Sequence, residues 1–505
     1  MSPSQTSGKQ RNLVLAAMCV ALATVVSAVT SLNVALPDIA RELGATQTQL
    51  QWIVDAYSVV FAGLLLFAGA LGDRIGRRPM LLGGLAVFSA AAAAGAVVHD
   101  PAALIAVRAV MGIGAAAIMP STLAIITNVF PPEERDRGVS IWAGVAGASA
   151  LLGLLAAGAL LEAFSWNSIF AFSSALGVLA LIAAARLAPN STADRASLDV
   201  VGGALSVLGL SSLVYAIIEG PDRGWTDPVT IVAFAAAIVL LGAFLAWELH
   251  REQPLLDPRL FLLRGFGAGT ASITVQFFAF FGFVFVVLQY VQLVLGYSPL
   301  EAGLAFAPMA VVMMGLSPRV PRLVDRFGPA RVAPAGLLLM AGGFALFSTV
   351  TVNSGYLRLL IGVLLLGTGL ALATTPATTA IVSSLPQNKQ GVASAVNDAA
   401  REVGGALGIA VLGSALTGRY RSGLTSASAH LPAMVAAHAK AALAAALAIA
   451  KQLGPKGAEL AAHAQAAFVN GLGLAMLIAA ASVAAVAVFV FLRAPTRQGS
   501  GTSDA

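Results

Sequence analysis

The chain has 505 residues, of which 58% are hydrophobic and only 10% charged, and its formal net charge is +6. Soluble domains carry roughly 25% charged residues, so composition excludes a water-soluble fold, and the basic excess, scattered between apolar spans, excludes a nucleic-acid surface. The single cysteine, Cys19, excludes an intramolecular disulfide and a multi-cysteine metal site.

A bilayer crossing needs ~20 predominantly apolar residues. The first such run, from Leu13 to about Val34, is longer than the ~7–15-residue core of a secretion signal and reads as a retained first helix. Further spans are predicted near 51–71, 80–98, 102–127, 139–161, 167–185, 199–218, 229–247, 265–290, 299–317, 332–352, 357–381, 391–416 and 467–492, fourteen in all. The even number puts both termini on one side. Lys9, Arg11, Arg74, Arg77, Arg78, Arg135, Arg137, Arg186, Arg195, Arg251, Arg259, Arg264, Arg319, Arg322, Arg326, Arg331, Lys389, Arg493 and Arg497 fall there, against Arg41, Arg223 and Arg358 in the short loops opposite. Basic loops mark the cytoplasmic side, so both termini are expected in the cytoplasm, with the chain in a bacterial inner (cytoplasmic) membrane. The stretch 418–466 is Ala-rich and sprinkled with Lys and His. It is expected to form short helices at the outer interface rather than a crossing.

Two segments echo each other. GALGDRIGRRPML from Gly69 and PRLVDRFGPARV from Pro321 align Asp73 with Asp325, Arg74 with Arg326 and Gly76 with Gly328. Downstream, Gly112 and Gly114 match Gly367 and Gly369, and Pro120 falls close to Pro376. Both copies follow the second helix of a bundle on the same side, so the repeat is parallel, which is one of the standard transporter plans. The expected organisation is a six-helix bundle over 1–186, an inserted helix pair with its linkers over 187–264, a second six-helix bundle over 265–493 carrying the arm 418–466, and a tail, 494–505.

These residues also carry a resemblance. GALGDRIGRRPML matches the major facilitator loop signature G-x-L-[AG]-D-R-x-G-R-[KR]-x-x-L, and RAVMGIGAA resembles the R-x-x-x-G-x-G motif of the fourth helix. TSLNVALPDIA and LQWIVDAYSVVFAGLLL resemble the first two helices of the fourteen-helix drug:proton antiporters of the EmrB/QacA type. The resemblance implies an all-α membrane protein of the major facilitator fold that works by alternating access. It implies export of small hydrophobic, including cationic, substrates driven by the proton gradient, with no cofactor, no nucleic-acid partner and a monomeric state.

Candidate site residues follow. Gly69, Gly72, Asp73, Arg74, Gly76, Arg77 and Arg78 form a loop at a helix end, where a carboxylate can hold basic groups and the N-terminus of a neighbouring helix. The resemblance implies that this loop latches one conformation. The second copy, around Asp325 and Arg326, has Pro329 and Ala330 in place of the paired arginines and is expected to latch more weakly. Arg108 sits about six residues, or ~9 Å, into the fourth span; an intramembrane arginine usually faces a cavity or a partner, and the resemblance links it to proton coupling. Asp55, at similar depth, is the expected counterion, the alternative being a simple helix-start carboxylate. Asp398 and Glu402 share a helix face with Arg401 beside them and are a candidate ion pair or second protonatable site. Asn33, Tyr57, Gln276, Phe280, Gln289 and Asn397 make up the candidate substrate cavity.

The chain departs from the family pattern at two places. The first-helix aspartate, two residues before Thr30, is Ala28, and the fifth-helix G-P-x-x-G-G reads Gly153, Leu154, Leu155, Ala156, Ala157, Gly158. Without the proline the fifth helix should be straighter. Both departures keep open a narrow natural-product exporter, or a uniporter without proton antiport. No metal cluster, nucleophile constellation or phosphate-binding loop is present in the sequence, which argues against an enzyme and against ATP as the energy source.

Overall fold

The computed structural model describes residues 8–191, 198–252, 254–386, 390–425 and 431–493. Arg195, Lys389, Arg497 and the tail 494–505 lie outside them. All regular elements among the described residues are helical, and 14 stretches are long and apolar enough to cross a membrane, as the hydropathy pattern predicts. The face on which residues 8 and 493 lie is called proximal below, and the opposite face distal.

The first bundle consists of α1 (Gly8–Leu43), α2 (Gln47–Ile75), α3 (Arg77–Gly95), α4 (Pro101–Val129), α5 (Pro132–Ala163) and α6 (Asn167–Leu187). Local chemistry sets the sharp ends. Thr46 closes a capping box with Gln49 at the start of α2. Asp100 accepts from the Ala103 amide at 2.8 Å, with Pro101 as the first residue of α4, so the short link 96–100 suffices between α3 and α4. The fifth helix runs unbroken over its 32 residues. Its small residues make close approaches: a Cβ on Gly153 would lie 2.9 Å from the Ser27 Cα of α1.

A hairpin follows, of α7 (Val200–Arg223) and α8 (Pro228–His250). Its base is a buried polar knot. The Asp199 carboxylate accepts from the Gly202 amide at 2.8 Å and from Trp247 Nε1 at 2.9 Å, with Arg251 at 3.5 Å. Helix α8 leaves Val232, Ile238 and Val239 65%, 73% and 67% exposed, a surface that only lipid covers without cost.

The second bundle begins with α9 (Arg264–Leu293). Its second span, read from sequence as one helix over 299–317, is longer and broken: α10 (Pro299–Ala305), α11 (Ala307–Leu316), a 3-10 turn at Ser317–Arg319 and α12 (Val320–Phe327). Pro308, Pro318 and Pro321 each open one of the later pieces; proline lacks the donor for the i−4 carbonyl and interrupts the ladder each time. The bundle continues through α13 (Pro329–Phe347), α14 (Tyr356–Ser383) and α15 (Gln390–Leu424). After the arm, which contains α16 (Ala433–Ala441) and α17 (Leu443–Gln452), it closes with α18 (Ala458–Arg493).

The repeat seen in sequence is a repeat of packing. Gly76 and Gly328, at φ +111° and +83°, end the second helix of each bundle and turn directly into the third. A Cβ on Gly112 would lie 2.6 Å from the Tyr57 carbonyl of α2, and one on Gly367 would lie 2.9 Å from the Met309 carbonyl of α11. Gly114 and Gly369 press in the same way on Gly84 and Gly336 of the third helices. Only glycine permits these backbone approaches.

The bundles meet at the distal end. Gln51 Nε2 of α2 donates to the Ile409 and Ala410 carbonyls of α15 at 3.3 and 3.4 Å, and Gln292 Nε2 of α9 donates to the Val34 carbonyl of α1 at 3.0 Å. Gly158 of α5 abuts the Leu300 backbone of α10. The arm packs onto this end: Tyr420 Oη donates to the Ala439 carbonyl at 2.8 Å, Leu443, Ala446 and Ala450 are buried, and α17 touches both α1 and α18.

Candidate transport site

Arg108 is 1% exposed. Its Nε donates to the Ile53 carbonyl at 3.0 Å, and its guanidinium lies 4.3 Å from the centroid of the Tyr57 ring. Tyr57 Oη in turn donates to the Val25 carbonyl of α1 at 3.4 Å, and Gly112, one turn along from Arg108, lets α4 reach the Tyr57 backbone. Arg108 Nη2 is buried without a partner. A desolvated guanidinium over an aromatic face gains about 2 kcal/mol, which offsets only part of the cost of burying its charge.

Asp55 is not its counterion. Among the described residues no ion pair joins them, and both Asp55 oxygens are fully buried with no hydrogen-bond partner. The reason is azimuth. Residues four apart share a helical stripe, and Ile53 and Tyr57 occupy the stripe that faces α4. Gln51, Asp55 and Val59 occupy another. Gln51 bonds to α15, and Val59 packs with Leu210, Val214 and Ile218 of α7 and with Ala406 and Ala410 of α15. Asp55 therefore lies between two residues committed to the α2–α7–α15 seam.

In the second bundle, Gln276 donates to Ser272 Oγ at 2.8 Å and accepts from Thr374 Oγ1 at 2.7 Å. One turn along α14, Thr378 Oγ1 donates to Asn397 Oδ1 at 3.2 Å. This belt ties α9, α14 and α15 together. Asp398, Arg401 and Glu402 stand one turn apart on α15 and remain partly exposed. The expected ion pair among them is not formed: the Arg401 guanidinium turns to the Phe277 ring, 5.2 Å from its centroid. Glu402 comes within electrostatic range of Tyr57, which brings the Arg108–Tyr57 pair of one bundle towards the acids of the other.

The expected substrate set does not form one surface. Asn33, Tyr57, Gln276, Gln289 and Asn397 are at most 5% exposed, and only Phe280 is partly open. Gln289 spends its amide on the Phe285 carbonyl at 2.9 Å and Asn33 on the Val29 carbonyl at 2.9 Å. Gln276 and Gln289 are thirteen residues apart on one helix, ~20 Å on a rise of 1.5 Å, so they cannot hold the same small molecule.

At the proximal loop, Arg77 Nε donates to Asp73 Oδ1 at 3.0 Å and Arg77 Nη1 to the Ala124 carbonyl of α4 at 3.1 Å. Arg78 Nη2 reaches the Ala185 carbonyl of α6 at 2.6 Å, and Gly69 and Gly72 pack on Pro120 and Met80. Arg74 is exposed. The loop's hydrogen bonds stay within the first bundle and its linker; the approach to α15, residues 387–389, lies outside the described residues. In the second copy Asp325 and Arg326 are exposed, and the Arg326 guanidinium rests 5.2 Å from the Phe327 ring centroid.

The sequence of residues 13–409 matches the family model described as Major Facilitator Superfamily. The chain belongs to the Major Facilitator Superfamily. It is a multi-pass membrane transporter and not an enzyme. Over 91% of its length it is 34% identical to the multidrug efflux pump LfrA of Mycolicibacterium smegmatis, covering 92% of that protein. Over 92% it is 33% identical to the tetracenomycin C resistance and export protein of Streptomyces glaucescens, covering 88%. The cephamycin export protein CmcT of Amycolatopsis lactamdurans is 36% identical, with 83% and 87% covered. Among solved structures, a bacterial homolog of the human lysosomal transporter Spinster superposes with a TM-score of 0.69 at 16% identity, covering 97% of this chain and 98% of that one. The POT family transporter PepTSo does so at 0.65 and 14%, covering 97% and 98%. At these identities the structures establish the major facilitator fold alone.

One part of this facilitator's polar framework escaped the sequence reading: the distal end of α7. Trp52 Nε1 of α2 donates to Glu219 at 3.0 Å and Thr48 Oγ1 to Asp222 at 2.6 Å. From the other bundle, Arg421 pairs with Asp222, and Ser414 Oγ donates to the Ile217 carbonyl at 2.7 Å. The inserted hairpin is therefore bonded to both bundles at once. The signal available was Glu219 and Asp222, two acids three apart just past the end of a predicted span. A half-buried ion pair is worth about 1 kcal/mol, so Asp222→Asn should raise the labelling rate of a cysteine placed at Gln51 about fivefold. An unchanged rate would show that the junction does not hold the distal end closed.

Proposed function

We propose that this transporter exports small hydrophobic molecules, cationic ones among them, in exchange for protons. Its place is a bacterial inner membrane, as a monomer with both termini in the cytoplasm. The similarity over nine-tenths of the chain to proteins named as a multidrug efflux pump and an antibiotic export protein carries this reading. The excess of basic side chains on the proximal face supports a cytoplasmic orientation for it. Arg264, Arg319, Arg322, Arg326, Arg331 and Arg493 all lie there, against Arg41, Arg223 and Arg358 in the short distal loops.

The geometry supports a division of labour. In the present state the distal seam is closed, with Asp55 sealed inside it, while Asp398 and Glu402 remain partly accessible. When the seam opens, Asp55 meets distal water and can take up a proton; when it recloses, a neutral carboxyl is the form that the partnerless pocket holds at least cost. Glu402, within electrostatic range of Tyr57, lies about two turns proximal to the Ile409–Ala410 contact of the seam on α15 and can relay the proton. No bound cofactor is required, because the gradient itself supplies the work.

A second reading, an exporter of one natural product without proton antiport, is favoured by Ala28, buried where the family carries its first-helix acid, and by relatives named for single compounds. Dye uptake into everted vesicles under an imposed pH gradient separates the two. Gradient-driven uptake that is lost in Asp55→Asn is the expected result. Uptake that ignores the gradient would overturn proton exchange, and gradient-driven uptake that survives the substitution would remove Asp55 from the path.

A further inference from the structure

We propose that the second bundle carries a binding site for an anionic phospholipid of the proximal leaflet, in a groove between α9 and α18. The groove is a cavity of about 570 Å³. Its walls are two helical stripes: Gly267, Ala271, Thr274 and Phe278 on α9, and Ser482, Val486 and Phe489 on α18. Each stripe steps by three or four residues, so each is one continuous helix face. The Thr274 hydroxyl is spent on the Thr270 carbonyl at 2.9 Å, and that of Thr270, also in the lining, on the Phe266 carbonyl at 2.8 Å. Apart from the Ser482 hydroxyl the walls thus offer hydrocarbon, which suits an acyl chain better than a polar solute.

Continued towards the proximal face, both stripes end in arginine. Arg264 precedes Gly267 by three residues, and Arg493 follows Phe489 by four. The Arg493 guanidinium lies 5.5 Å from the Phe489 ring centroid, at the mouth of the groove. Both arginines are exposed, and among the described residues neither has a carboxylate within ion-pair distance. Asp257 accepts from the Arg259 amide and Arg259 donates to the Leu249 carbonyl, each at 3.0 Å, and neither is bonded to the two guanidiniums. From Arg264 to Phe278 the groove runs ~21 Å at 1.5 Å per residue, the thickness of one leaflet with its headgroup layer. Two forked donors at the water boundary above a leaflet-deep apolar slot match a phosphate with its chains below it.

The test uses the full-length protein in detergent, with native mass spectrometry reading phosphatidylglycerol and phosphatidylcholine retained per chain. The expected result is preferential retention of one phosphatidylglycerol. Its affinity should fall about thirtyfold in Arg264→Ala/Arg493→Ala and be lost in Ala271→Phe, which fills the slot. The distal control Arg41→Ala/Arg358→Ala should bind as wild type does. The arginine variant changes only exposed side chains; its elution as a monodisperse peak shows that lost binding is not lost folding. Equal retention of the two lipids, or wild-type affinity in the double arginine variant, would overturn the site. So would displacement of the bound lipid by an exported dye with no difference between the two lipids, which would make the groove an entry for substrate.

Discussion

In a Cys19→Ser background, Gln51→Cys/Gly413→Cys should form a disulfide that stops transport and releases it on reduction. The single native cysteine is buried and unpaired, so its replacement removes no disulfide. At the seam, Gly413 of α15 faces the Gln51 side chain. A Cβ at 413 would lie 3.1 Å from Gln51 Cγ, the place a cysteine sulfur would take, a spacing compatible with a Cβ–S–S link. The substitutions remove the Gln51 amide that otherwise fills the contact. Alternating access requires this seam to part, so a covalent tie across it should hold the population in the distal-closed state and reduce transport to under about a tenth of the reduced control. Full transport by the oxidised, cross-linked protein would mean that α2 and α15 stay together throughout the cycle.

Replacing Arg108 should do comparable harm without a covalent bond. In Arg108→Ala, the charged hydrogen bond to the Ile53 carbonyl and the cation–π contact with Tyr57 are lost together, ~3 kcal/mol in sum, or about a hundredfold in gradient-driven uptake if both persist to the rate-limiting state. Arg108→Lys should recover little, because an ammonium is a point charge that cannot hold the carbonyl and lie flat on the ring together. The measurement is initial uptake normalised to the protein present in the membrane. A lysine variant that transports like wild type would reduce Arg108 to a filler of the α2–α4 contact.

The fold was legible in the sequence wherever a single rule decides it. Lengths of apolar chain gave the fourteen crossings, and the matched glycines at 76 and 328, and at 112 and 367, marked the turns and close approaches that relate the two bundles. The site was legible only in part, because hydropathy reports depth and not direction around a helix. Asp55 and Arg108 were read at one depth and therefore as partners. In the structure two residues of helical phase separate the stripe that Arg108 touches from the stripe that holds Asp55. The polar residues picked for a substrate cavity fail for a related reason: Gln276, Gln289 and Asn33 find partners on their own or adjacent helices, and one sequence does not show which amides are already spent. The broken span Pro299–Phe327 could have been anticipated from Pro308, Pro318 and Pro321, whereas the packing of α7 and of the arm depends on long-range contacts with no local signature.

Helix α7 is bonded to both bundles where they meet, while its partner α8 packs on α7 and leaves much of its apolar surface exposed. Two bodies rocking about a shared axis need one surface to slip; with a third wedged into the joint, there are two surfaces, and either can give way first. Sequence drift in α7 would then alter the pace of the cycle and the share of time spent in each posture while leaving untouched the atoms that greet the cargo. Variants of this transporter that differ in α7 alone should therefore resist the same compounds to different degrees.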